Sequence, residues 1–567
     1  MAGQHWLIPA RLAWEKIGLC IGDVRGLLLS TGIREPAKGV LLELGNRLVL
    51  RPAISAGWAA AVAVMVVAMY WVYMLWPVRL VRHIKCPPYW LPGLGHLPLL
   101  GKKESQIFID LAAQYGPVYR FHFGRQPIVM IADAEFCRQI CTKFFKSATD
   151  RANPAYIETV PLLQHALFFS RGKAWSSMRN TVLPFYHSEQ MRKYVPLMNR
   201  IVNVLVQLLK GKSEKDDVNF SQYLMMLTLD VIGATAFGAN FETLQGLSEQ
   251  NDGKTSAAAV RLDAKLVKAA NSFINSLRLD GNAPVSTIIG ELFPFLQQPM
   301  RKLLGSIPGT ADWEMEEQTG GLMRVLKEML KQREAEENVD RRIDMLSLLL
   351  NARKEKSDLT DDCVNGLSFE ILLVGSETTA VTLSNCLYFV ACHPQVEQKI
   401  LEEVDAFGPP RDISFDDLNK FPYVEQVFKE TLRFCTPAPV IARLITDDIK
   451  LGEYKIKKGT HVWLTPNAVM MDSRYFKNPH EFNPDRFSPD CPENKERHPS
   501  AYMPFGLGAR ACIGTRFSTQ EAKIALIKLY QHFTFTHSPT MENPLAFNFG
   551  IVRRPKHGIK LRVHPRF

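Results

Sequence analysis

From Ala53 to Trp76 the chain runs through 24 consecutive residues without a charge, almost all of them apolar. Backbone amides and carbonyls that enter lipid have to bond to one another, so such a run must be helical, and at about 1.5 Å per residue it spans a bilayer core. Trp58, Tyr70, Trp71, Tyr73 and Trp76 lie toward its ends, where aromatic rings settle at membrane interfaces. A cleavable signal peptide has a shorter apolar core nearer the start. The run divides the chain into a 1–52 extension, a 53–76 transmembrane anchor, a basic and Pro-rich 77–98 hinge, and a 99–567 body. The extension holds seven basic and four acidic residues without a clean period, and no function is assigned to it. Arg79, Arg82 and Lys85 follow the anchor while Lys38, Arg47 and Arg51 precede it, so charge leaves its orientation open.

The formal net charge of +11 is spread along the chain, with no long basic run and no interleaving of aromatic and basic residues. That argues against nucleic acid and suits anionic lipid or an acidic protein partner. Ten cysteines are scattered without Cys-x-x-Cys spacing, which excludes a zinc or disulfide framework and places the body in a reducing compartment. Pro117 to Ala132 alternates around Gly124-Arg125 and reads as a two-stranded hairpin. From about Ala134 to Ala406 the period is helical, interrupted at Asp150 to Ser170 and at Gln245 to Gly309. Short strands are expected around Ile449 to Ile456 and His461 to Leu464. The fold class is therefore mainly α with small β-sheets.

The stretch Tyr502-Met-Pro-Phe-Gly-Leu-Gly-Ala-Arg-Ala-Cys-Ile-Gly514 opens a helical pattern and presents one cysteine, Cys512, behind a glycine-rich turn. Gly506 and Gly508 allow the backbone to turn tightly, and Gly514 leaves room for a flat object at the start of the next helix. Amide donors and a helix N-terminus favour a thiolate, which can bind a soft metal or, by one axial bond, an iron porphyrin.

Three further groupings carry chemistry. Trp175 and Arg179, four apart on one helical face, can reach a carboxylate together or simply pack on a surface. A long helix from Asp361 to His393 has Gly375 at its centre, at a cost of about 1 kcal/mol against alanine. Either a ligand approaches there or another helix does. Glu377 and Thr378 beside it set an acid next to an alcohol, a minimal proton relay. Glu430 and Arg433 are one turn apart, and Arg486 can complete a buried network with them.

Phe505-x-x-Gly-x-Arg-x-Cys-x-Gly514, Glu430-x-x-Arg433 with Arg486, Gly375-x-Glu377-Thr378-Thr379 and Trp175-x-x-x-Arg179 occur in an order that resembles the cytochrome P-450 superfamily. The resemblance covers about Pro87 to Arg566. It implies that Cys512 is the axial ligand of haem b iron, that Trp175, Arg179, Arg443, Phe505, Arg510 and Gly514 complete the haem site, and that Glu430, Arg433 and Arg486 form a structural lock. It further implies a monooxygenase that uses O2 and receives NADPH electrons through a separate flavoprotein reductase, on an apolar substrate. A monomeric catalytic unit is expected, held on the endoplasmic reticulum membrane with the body in the cytosol, or alternatively on the plastid envelope. Phe168, Phe169, Val374, Gly375, Val440, Ile441 and Phe549 are the expected pocket walls.

Gly95-His-Leu-Pro-Leu-Leu100, Phe121-His-Phe-Gly-Arg-Gln-Pro127, Trp175-Ser-Ser-Met-Arg-Asn180 and Val374-Gly-Ser-Glu-Thr-Thr-Ala380 are similar to the plant carlactone oxidases of strigolactone biosynthesis, the "more axillary growth" family. That likeness implies successive oxidation of an apocarotenoid methyl group to a carboxylic acid. Val374 stands where the wider superfamily usually has Ala or Gly, and residues 1–52 are extra. Oxidation of another terpenoid or of a fatty acid, a haem-thiolate isomerase, and a haem-binding sensor are the rival functions.

Overall fold

The computed structural model describes residues 52–89, 93–103, 105–152, 161–246, 284–335, 344–355, 359–548 and 550–567. Residues 1–51, which carry all but the last residue of the N-terminal extension, lie outside them. The described residues divide into two units at the boundary between Met74 and Leu75. In the first, Pro52–Leu75 is one continuous helix, and Val62, Val64, Met65, Val66, Val67 and Met69 are all exposed. A helix that shows apolar side chains all round has no protein core to enter and matches lipid.

The second unit is mainly helical, with four small sheets among the described residues. Val118–Phe123 and Gln126–Ile131 form the expected hairpin, turning at Gly124 (φ +58°). His461–Leu464 joins parallel to the second strand, and Ile441–Leu444 adds antiparallel to it. Ile449–Leu451 pairs with Tyr454–Ile456. Ile441–Leu444 was not legible as a strand: Ile441 was expected as pocket wall and Arg443 as part of the haem site, and so short a run has no decisive period.

Helix Asp361–Cys392 runs through the middle. Its N-cap Thr360 accepts from the Cys363 amide, Asp361 and Asp362 complement the dipole, and few of its residues past Cys363 are exposed. Its hydroxyls cause no unpaired polar groups along most of their length, because Ser376, Thr378, Thr379, Thr382 and Ser384 each donate to the carbonyl four residues back. At Gly366 a Cβ would strike the carbonyls of His165 and Leu162, so this glycine lets the 161–170 segment lie directly on the helix.

The segment expected as a hinge is fastened to the body. The Lys85 carbonyl accepts from the Arg120 amide at 2.7 Å, and Val81 and Ile84 are buried. His96 is held between the Pro87 carbonyl (3.1 Å) and the His122 amide (2.8 Å), with Tyr89 4.7 Å from the His122 ring. Because Nδ1 of His96 accepts, Nε2 carries the proton.

Candidate active site

Backbone geometry delivers Cys512. Gly506 (φ +76°) and Gly508 (φ +69°) both take the left-handed region, so the chain doubles back and the Cys512 amide reaches the Phe505 carbonyl at 2.8 Å. A Cβ at Gly508 would also collide with the Cys141 carbonyl, so packing and φ demand glycine together. Gly514 is the N-cap of helix Thr515–His532, and Thr515 Oγ1 donates to the Cys512 carbonyl at 2.9 Å. Cys512 keeps accessible surface although protein atoms crowd around it. Burial pushes its thiol pKa up, against the Gly514 amide, the Thr515 hydroxyl, Arg179 and Arg151, which all favour the thiolate. A coordinated metal ion settles that contest, since a metal-bound thiol is deprotonated.

Cations gather beside the loop. Arg179 Nη1 donates to the Ala511 carbonyl at 3.1 Å, and Arg510 Nη2 to the Ser170 carbonyl at 2.6 Å. The Arg510 guanidinium lies 4.2 Å over the Trp175 ring, a stacked cation that fixes both side chains. Arg443, 1% exposed, spends Nη1 on the Ala442 carbonyl. The fourth member, Arg151, lies 3.7 Å over the Phe168 ring. The Nε atoms of Arg151, Arg443 and Arg510 are all buried without a hydrogen-bond partner. Burial first, then repulsion from Arg443, pushes Arg510 down to about 9, and burial with Arg443 and Arg510 pushes Arg151 well down. Guanidinium keeps its charge in a protein, so this is a buried positive cluster short of carboxylate.

A porphyrin bearing two carboxylates fits these residues: it would give the unpaired guanidinium donors their acceptors and place its metal at the accessible sulfur of Cys512. Arg179, Arg443 and Arg510 were expected there. Arg151 was missed, since nothing in Thr-Asp-Arg at 149–151 announces burial.

On the long helix, Val374 is 45% exposed and Thr378 sits one turn further on the same face. Glu377 points elsewhere: it is buried, its Oε1 has no hydrogen bond, and Arg554 Nη1 lies 3.6 Å from it. Burial pushes its carboxyl up to about 7, against the pull of Arg554. A Cβ at Gly375 would meet Ile232 Cδ1 at 2.9 Å. Of the two roles open to this glycine, the structure gives it close packing against helix Phe220–Ala236.

Phe168 and Phe169 meet edge-on at 4.8 Å, in a segment whose position Glu370 helps to fix: both oxygens of Glu370 accept the Phe168 amide, at 2.9 and 3.1 Å. Glu370 was also missed, although it lies two helical turns before Glu377. Burial pushes it up to about 7, opposed by those amide bonds and by Arg151 and Arg510. Val440 packs on the main core, and Ile441 is buried against the cysteine loop near Gly506. Phe549 lies outside the described residues.

The lock is complete. Glu430, fully buried, receives Arg433 Nε at 2.7 Å and Nη2 at 2.8 Å, Arg486 Nε at 3.2 Å and the Asn483 amide at 2.9 Å. Arg433 Nη1 reaches the Met470 and Pro479 carbonyls, and Arg486 Nη1 reaches Lys477 and Glu493. Such geometry is what a buried ion pair needs to offset desolvation.

The family model described as Cytochrome P450 matches residues 85–562, and the chain belongs to the cytochrome P450 family. It is similar to cytochrome P450 3A12 of Canis lupus familiaris (28% identical over 492 residues, 84% of this chain and 91% of the relative). It is similar also to cytochrome P450 3A6 of Oryctolagus cuniculus (29% over 490 residues, 84% and 92%) and to cytochrome P450 4V2 of Pongo abelii (28% over 505 residues, 84% and 88%). The protein is a haem-thiolate monooxygenase: its cofactor is haem, its co-substrate O2, and its electrons come from a reductase.

Proposed function

We propose that this monooxygenase oxidises carlactone to carlactonoic acid, in successive steps at one methyl group, as an enzyme of strigolactone biosynthesis anchored in the endoplasmic reticulum membrane with its body in the cytosol. The observation that carries the chemistry is the accessible Cys512 sulfur beside a buried cluster of arginines with unpaired donors. The likeness of the segments at 95–100, 121–127, 175–180 and 374–380 to the carlactone oxidases carries the substrate.

When bound, haem supplies oxygen activation and insertion, with the thiolate push that favours O–O cleavage. The chain does the rest. Cys512 would hold the haem iron through sulfur, and Trp175, Arg179, Arg443 and Arg510, with Arg151, would hold the haem carboxylates. Thr378, whose hydroxyl lies on the open side of the helix, handles protons there, while Glu377, which faces Arg554 on another side, is held near 7 by burial and can give and take a proton at neutral pH without adjoining that hydroxyl. Phe168, Phe169 and Val374 hold an apolar substrate and exclude water. The positive net charge suits an acidic docking face on the reductase.

Microsomes carrying the chain and a reductase, fed carlactone and NADPH, are expected to yield carlactonoic acid through the alcohol and aldehyde, and Cys512→Ser is expected to abolish both the thiolate-type carbon monoxide band and turnover. Intact spectra with no product from carlactone, but product from another terpenoid or a fatty acid, would overturn the substrate and leave the chemistry standing.

A further inference from the structure

Four residues, Leu167 to Ser170, run between the long helix and the cysteine loop, and each side holds them by a different group. From the helix, Glu370 takes the Phe168 amide on both oxygens. From the cysteine loop, Arg510 takes the Ser170 carbonyl at 2.6 Å, with the Leu167 and Phe168 carbonyls at 3.5 Å. Arg151 covers the Phe168 ring from a third direction. A carboxyl thus holds a donor of the segment and a guanidinium its acceptors, which sets its position and direction. One turn before Glu370, the bare Gly366 brings the preceding residues onto the helix. One turn after Glu370 comes Val374, so the clamp and the exposed valine share a helical face.

We propose that Glu370 is a positioning residue for substrate selection: it sets Phe168 and Phe169 over the reaction space, in register with Val374, by gripping the same segment that Arg510 ties to the cofactor's carboxylate end. The inference rests on the pocket reading given above for Phe168, Phe169 and Val374. It gives Arg510 two duties, since the guanidinium that faces the cofactor's carboxylates also fixes the loop, so the wall of the pocket is referenced to the cofactor and not to the protein surface.

The test uses the full-length holoprotein with Glu370→Ala and the near-isosteric Glu370→Gln. Two readouts do not depend on turnover: hydrogen exchange at the Phe168 amide, and optical titration with imidazole and with clotrimazole, a trityl-substituted imidazole large enough to reach the loop. Glu370→Ala is expected to speed exchange at that amide and to weaken clotrimazole about tenfold, about 1.4 kcal/mol, while imidazole changes less than about twofold. Glu370→Gln, which keeps one acceptor oxygen, falls between, and serves alone if the alanine variant does not load haem. Unchanged exchange, or equal loss of the two azoles, would overturn the proposal. Carlactone turnover is scored separately: a split between azoles without carlactone oxidation leaves the clamp standing and removes the substrate, and the reverse result does the opposite.

Discussion

Gly375→Ala separates the two roles that a bare position in the middle of this helix can have. The new methyl would sit 2.9 Å from Ile232 Cδ1 and 3.4 Å from Ile232 Cγ1, and beyond its chain neighbours and its own helix backbone it meets nothing else within 4 Å. Alanine gains about 1 kcal/mol of helix propensity over glycine, while forcing an extra methyl into a packed contact costs about 1–3 kcal/mol. The single variant is therefore expected to range from neutral to about 2 kcal/mol less stable. Ile232→Val deletes the Cδ1 atom that would clash, and alone costs about 0.5–1.5 kcal/mol. Combined, each change relieves the other, so the double variant should exceed the sum of the singles by about 1–2 kcal/mol. The assay is a double-mutant cycle from denaturant unfolding of the holoprotein, with the carbon monoxide difference spectrum recorded for each variant. Additive effects, or a loss of haem in Gly375→Ala that Ile232→Val does not restore, would refute helix packing as the reason for this glycine.

Two other outcomes are expected. Glu430→Ala strands two buried guanidinium groups and should cost about 3–5 kcal/mol, read as a fall in holoprotein yield and in the unfolding midpoint, whereas a midpoint equal to wild type would show that the lock carries no stability. His122 is pushed down to about 3, chiefly by burial and then by Arg120, so it is neutral in the folded chain while the unfolded chain takes up a proton below about pH 6.5; the stability it holds above that pH is lost as pH falls toward 3. Glu370 and Glu377, raised to about 7, work in the opposite sense, losing stability as pH climbs from about 4.5 to 7, so the measurement is a difference. His122→Phe should gain on wild type by up to about 1.4 kcal/mol for each pH unit below 6.5, and a difference independent of pH would contradict the assignment.

What was legible in the sequence depended on how far apart the partners lie. The Cys512 turn could be read because glycines of special φ stand at fixed offsets from one sulfur, and Glu430 with Arg433 because a helix brings residues three apart together. Arg486 could be added to them only as a candidate, since its bond to Glu430 spans 56 residues. Arg151 and Glu370 escaped because their roles come from burial and from partners on distant elements, with Phe168 202 residues from Glu370. Gly375 stayed ambiguous because an absent side chain does not say which neighbour needs the space. The 77–98 segment reads as a stiff spacer from its prolines, yet the buried Val81, Ile84 and His96 show that it is part of the body.

The Glu430 lock also has a bearing on how the chain is made. Synthesis runs from the N-terminus, so the apolar Pro52–Leu75 helix is made well before the lock, while the later groups that complete Glu430 and Arg433 come from residues 470 to 486. At about 5–20 residues per second, Glu430 waits about 3–11 s for Arg486, and Cys512 comes later still. The apolar N-terminal helix is thus complete before the interior can close, while Glu430 still lacks Arg486. Closure and cofactor capture are left to the last stretch of translation.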